Sequence, residues 1–191
     1  MKKHLLKTLL VATGLLAGTI SSWADTKEIP SSGHIAIVGT NIYDGISFDK
    51  LYLNSYAGNG GASAISFTSD DSFDASKVKK ATLQLYVLSK PNKNRSCTIN
   101  FYGLSALPTP SETVKNSDDG KALVYSYGSN STKRYIFSGT PFTTVSHSAY
   151  TNSNLKQGVY NDIDVTEYIK GLQSTKPGNE IYIGMSITDA A

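Results

Sequence analysis

The chain has 191 residues, 39% hydrophobic and 17% charged, with 18 Lys and Arg against 15 Asp and Glu and a formal net charge of +3. Three of those cations, Lys2, Lys3 and Lys7, fall in an N-terminal stretch with no acid, leaving 15 basic against 15 acidic residues in the remainder. That neutral remainder gives no electrostatic case for nucleic acid or an anionic membrane surface, and the single cysteine, Cys97, excludes an intramolecular disulfide.

Residues 1–24 read as a signal peptide. The three lysines form a positive start, Leu5 to Ile20 is mostly apolar, and Ser22-Trp23-Ala24 places small residues where a signal peptidase reads them. Cleavage is expected after Ala24, with no Cys nearby for a lipid anchor. The apolar run is too short and too broken by Gly and Thr for a good membrane span. The expected location is secreted, periplasmic or at the cell surface of a bacterium. The 167 residues that remain are enough for one domain with a sizeable core.

Residues 25–33, with Pro30 and Gly33, are expected to form a polar leader, and residues 34–191 the folded domain. Strands are predicted at His34 to Val38, Leu51 to Leu53 and Ala64 to Thr68, with turns between them. Ala81 to Leu88 alternates, setting Leu83, Leu85 and Val87 on one face and Thr82, Gln84 and Tyr86 on the other. Ser96 to Leu104 does the same, with Cys97, Ile99 and Phe101 inward and Thr98, Asn100 and Tyr102 outward. The basic turn Lys90 to Arg95 between them predicts an antiparallel hairpin. A long loop follows to Lys121. Ala122 to Tyr127 and Arg134 to Phe137 are further strands, and Ser138 to Gly158 is weakly periodic. In Asp162 to Ile187 a strand end leads into Thr166, an expected N-cap. Val165, Tyr168, Ile169 and Leu172 fall at helical spacing, and Ile181 to Ile187 is a last strand. Many short strands and one helical turn near the C-terminus predict an all-β, antiparallel, jelly-roll-like β-sandwich. Little chain follows the last strand, so either the domain closes there or it is truncated or continues in a larger multidomain protein.

Four stretches carry a family resemblance: Lys80 to Val87, Thr98 to Leu104, Ile163 to Lys170 and Ile181 to Ser186. Their order resembles the DNRLRE domain, a β-sandwich of exported bacterial proteins related to family 96 carbohydrate-binding modules. The resemblance spans roughly Gly33 to Ile187. It implies a polysaccharide-binding module, often found beside polysaccharide lyases and other glycan-acting proteins. The family ends on a further strand absent here, which implies truncation or an unusual closure.

The residues themselves point away from catalysis. His34 opens an apolar strand and His147 lies in a Ser/Thr-rich stretch, and neither has the nucleophile and orienting group that a triad needs. Cys97 alternates with core residues and is expected to act as a small hydrophobe. No cofactor is expected. A structural calcium has oxygen-rich places at Asp70-Asp71, Asp118-Asp119 and Asp162 with Asp164, but no ligand loop of known spacing. The sharpest positive reading is a glycan surface. Tyr86 and Tyr102, with Tyr182 on the last strand, offer rings for sugar C–H faces. Gln84 and Asn100 flank them, and Lys93 and Arg95 are placed to meet a uronate carboxylate. The module is therefore expected to be non-catalytic and polysaccharide-binding. The alternatives are a structural or adhesive surface domain, or an accessory domain of a lyase or hydrolase whose catalytic part lies outside this chain.

Overall fold

The computed structural model describes residues 9–14, 25–38, 41–45, 50–53, 61–70, 73–88, 96–108, 123–127, 133–137, 140–147, 155–172 and 180–189. They form an antiparallel β-sandwich with one short helix, as the alternating patterns predict.

The first sheet runs in the order β10 (Tyr160–Asp164), β5 (Val78–Tyr86), β1 (Leu9–Gly14) and the first half of β2 (Asp25–Val38). The second continues from the other half of β2 to β4 (Gly61–Thr68), β11 (Glu180–Asp189), β6 (Cys97–Gly103) and β9 (Thr143–His147). β3 (Asn41–Asp44) pairs with the outer end of β2. The residues expected as a polar leader are thus the first half of a long strand that serves both sheets. β2 shifts register between Ser31 and Gly33. There Ser32 Oγ donates to Ser66 Oγ at 3.0 Å, and Ser66 Oγ donates to the Gly33 carbonyl at 3.2 Å. Such an irregularity bends a strand, which lets one chain segment turn from one layer into the other.

The main core fills the space between the sheets. Ile29, Val78, Ala81, Leu83 and Ile163 come from the first sheet, and Ile65, Phe67, Ile99, Phe101, Ile181, Ile183, Met185 and Ile187 from the second, all buried. All but Val78, which lies beyond the register shift in β5, are the inward half of a period-two pattern, and each large side chain adds about 1.5–3 kcal/mol by leaving water. Cys97 lies in the same core.

The second sheet is also covered on its other face. A hairpin of β7 (Leu123–Tyr127) and β8 (Lys133–Phe137) forms a separate two-stranded sheet. Phe137, 1% exposed, joins Ile35, Ile37, Ile42, Ala62, Ala64, Tyr102 and Leu104 in a second cluster. The small residues of GASAISFT suit this double burial: Ala62 and Ala64 meet the second cluster while Ile65 and Phe67 meet the first. Gly184 gives Phe137 its room, since a Cβ there would lie 2.8 Å from the ring.

α1 (Thr166–Gly171) caps one end of the main core, with Ile169 fully buried and Val165 1% exposed. Thr166 is not its N-cap. Its Oγ1 instead accepts from the Ala81 N–H at 3.0 Å and donates back to the Ala81 carbonyl at 3.3 Å, fastening the helix to β5.

Three other expectations are corrected. β5 and β6 do not form a hairpin, because β5 pairs with β10 and β1 in the first sheet and β6 with β11 and β9 in the second. Their apolar faces meet across the core rather than side by side. Leu51 to Leu53 is not a strand. Ser63 Oγ accepts from Tyr52 N–H at 2.6 Å and donates to Tyr52 C=O at 2.9 Å, while Leu51 and Leu53 pack against the main core. Within the weakly periodic stretch, Thr143–His147 pairs with β6 as β9, where the ladder outweighs the missing alternation.

Candidate functional site

The outer face of the first sheet carries the exposed side chains that fit a ligand surface. β10 and β5 are in register from Tyr160 opposite Tyr86 to Asp164 opposite Thr82. Ile163 and Leu83 point into the core, so Tyr160, Asp162, Tyr86 and Gln84 stand on the other side. The two tyrosine rings meet edge to face, with centroids 5.3 Å apart and planes at 70°, a geometry that the ring quadrupoles favour. Tyr86 is 36% exposed and Tyr160 43%. One step along the strands, Gln84 Nε2 donates to Asp162 Oδ1 at 2.9 Å.

A polar knot sets Tyr160 in place. Asn161 is buried, and its amide donates to the carbonyls of Lys156 (2.9 Å), Val159 (3.1 Å) and Leu85 (3.4 Å) while accepting from Lys156 N–H at 2.6 Å. Gly158 turns with φ of 79°, a conformation open to glycine, and its N–H donates to the Val87 carbonyl at 2.9 Å. Gln157 Nε2 donates to the Leu88 carbonyl at 3.0 Å. The 156–160 turn is thereby fixed to the end of β5, which brings Tyr160 to Tyr86. Leu88 and Val159, at the same end of the two strands, are also exposed.

At the other end of the same strands a cleft of about 520 Å³ opens beside α1, lined by Lys79, Lys80, Asp164, Glu167, Tyr168 and Lys170 among others. Asp164 Oδ1 accepts from the Thr166 N–H at 2.9 Å. Hydrogen bonds from Thr166 hold its carboxyl below the usual carboxylate range, so it is a charged acceptor at neutral pH and not a proton donor. Lys170 Nζ pairs with Glu167 at 3.0 Å. Tyr168 stacks on Phe142, with centroids 4.3 Å apart and planes at 3°, and donates to the Tyr182 carbonyl at 2.7 Å.

The predicted site residues do not assemble as one face. Tyr86 and Gln84 stand on the outer face of the first sheet as expected. Tyr102 and Asn100, expected outward, are 5% and 9% exposed. Tyr102 packs at 5.7 Å from Phe137, because the β7–β8 hairpin covers the face that alternation alone leaves open to solvent. Tyr182 is half-buried against the same cluster, and its hydroxyl donates to the Glu180 carboxylate, which pushes its pKa up to about 12. These three belong to the second sheet, on the opposite side of the sandwich from Tyr86. Lys93 and Arg95 lie outside the described residues. Tyr160 was missed, although Tyr160, Asp162 and Asp164 alternate on the strand before the helix.

Among the described residues, no three His, Cys, Asp or Glu side chains converge as metal ligands. Of the acidic places proposed for calcium, Asp70 pairs with Lys27 and Asp162 with Gln84, while Asp71, Asp118 and Asp119 lie outside the described residues. No helix among the described residues is long and apolar enough to cross a membrane.

No family model matches the chain, and no curated protein or solved structure matches it.

Proposed function

We propose that this is a non-catalytic, exported polysaccharide-binding module that uses the outer face of β10 and β5. The observation that carries the reading is the exposed Tyr86–Tyr160 pair with the Gln84–Asp162 pair beside it. Two rings on a rigid sheet offer apolar faces to pyranose C–H groups, and the amide and carboxylate supply a donor and acceptors for hydroxyls. From Tyr86 to Lys80 the strip runs roughly 20 Å at ~3.3 Å per residue. An extended chain suits that shape better than a single small sugar. Lys79, Lys80 and Lys170 at its far end are suited to acidic groups on such a chain.

A screen of neutral and uronate-bearing polysaccharides by affinity gel tests this. Tyr86→Ala and Tyr160→Ala are each expected to weaken retention about fivefold, from roughly 1 kcal/mol of lost ring contact. Tyr182→Phe, on the other sheet, is expected to change nothing. Retention of no polysaccharide, or retention indifferent to both alanine substitutions, overturns the reading.

A further inference from the structure

β1 (Leu9–Gly14) lies inside its sheet, between β5 and β2 and antiparallel to both. Its six residues are in register with Pro30 to Asp25 on one side and with Gln84 to Val78 on the other. The same residues belong to the apolar stretch Leu5 to Ile20 of the expected leader. Asp25, the first residue beyond the expected cleavage point, opens β2 and stands opposite Gly14. The stretch that an export system recognises and the residue at which processing ends are thus joined in one ladder.

The ladder and the export signal make opposite demands on this backbone. A strand between two partners gives its N–H and C=O groups to both neighbours in alternation. A leader that enters a membrane has to satisfy the same groups within itself, as a helix does, and its scissile bond has to fit a peptidase. Leu9–Gly14 meets the second demand only after leaving both neighbours at once. Each neighbour is anchored on its far side. β5 is held by β10 and by Thr166 on Ala81, and β2 by β4 and by the pairing of Lys27 with Asp70. Ile29 of β2 and Ala81 and Leu83 of β5 are 2%, 0% and 0% exposed, so β1 runs between strands that belong to the main core. Opening at such a place lies at the costly end of local unfolding, unlike the fraying of a terminus.

We propose that the folded chain withholds its own leader: β1 is an autoinhibitory contact that makes folding and processing alternative fates, and only a chain that has not closed the β5–β1–β2 ladder is cut after Ala24. The contact acts through the backbone and its register, in the chain before cleavage. The proposal rests on the leader reading and is independent of polysaccharide binding at β10 and β5.

The test purifies the whole chain, leader included, and treats it with signal peptidase in detergent beside a Leu83→Asp variant. That substitution puts a carboxylate into the main core and unfolds the chain while leaving the leader sequence intact. The variant is expected to be cut to a product whose mass matches a chain beginning at Asp25, and the folded wild type to be cut roughly tenfold more slowly or less. Hydrogen exchange at residues 9–14 of the folded wild type is expected to be as slow as at residues 80–84. A third chain carries an unrelated leader of equal length before Asp25, without the register to β5, and is expected to be cut as fast as the variant. No cleavage of any chain bearing the native leader overturns the leader reading and the proposal with it. Equal cleavage of wild type and variant, or fast exchange at residues 9–14, overturns the autoinhibitory contact alone. Equal protection of the unrelated leader assigns the effect to the surroundings of Asp25 and overturns the role of β1.

Discussion

Replacing Tyr168 with Phe removes one hydroxyl and keeps the rest of the side chain's packing. The ring still stacks on Phe142 at 4.3 Å and still lies against Gly103, where a Cβ would come within 2.4 Å of Tyr168 Cε2. What goes is the hydrogen bond to the Tyr182 carbonyl. That carbonyl also accepts from the Leu104 N–H at 3.0 Å, so it is not orphaned. The cost at neutral pH is therefore at the low end for a hydrogen bond, about 0.5–1 kcal/mol. In alkali the order reverses. Burial raises the Tyr168 pKa from 10.0 to about 12. A raised value means that the fold favours the neutral phenol, so this contribution is complete below the unfolded pKa of 10 and is lost as pH climbs to 12. Two units correspond to about 3 kcal/mol. The wild type should start as the more stable protein, cross the variant at about pH 10 to 11, and end as the less stable. Tyr182 titrates in both proteins and cancels in the difference. Urea midpoints followed by circular dichroism at neutral pH and through the alkaline range measure this. Stability curves that stay parallel would refute the assignment of the shift to a buried Tyr168 hydroxyl.

Two further substitutions test the covering of the second sheet. Gly184→Ala should cost about 1–3 kcal/mol, because the new methyl meets the Phe137 ring. Combined with Phe137→Ala it should cost less than the two single changes together, as a double-mutant cycle in urea would read. Ser186 is fully buried on the same strand, and its hydroxyl has no hydrogen-bond partner among the described residues. Ser186→Ala should raise stability by about 1 kcal/mol, and a lower urea midpoint would count against that.

Local alternation made the strands legible but not their partners. Leu83 against Gln84, and Ile99 against Asn100, already separate two faces within each strand. What alternation cannot say is whether the second face meets water. For β5 it does, and Tyr86 is exposed; for β6 it meets Phe137, contributed from more than thirty residues away, and Tyr102 is buried. Pairing failed for a related reason. A short polar connection between two alternating runs fits a hairpin and a crossing between layers equally well, and only the packing of both runs on one core decides it. The candidate site was half visible. Gln84 and Tyr86 could be placed by their spacing, but Tyr160 becomes a neighbour of Tyr86 only through the pairing of β10 with β5, positions distant in sequence that Asn161 also joins by donating to the Leu85 carbonyl.

β2 is a single backbone shared by both layers, spliced across the bend at Ser31 to Gly33. Neither layer can peel away without straining the other's ladder through that covalent link. Opening should therefore be a property of the whole sandwich, and a load applied at the start of β2 would pass along its length into the second sheet.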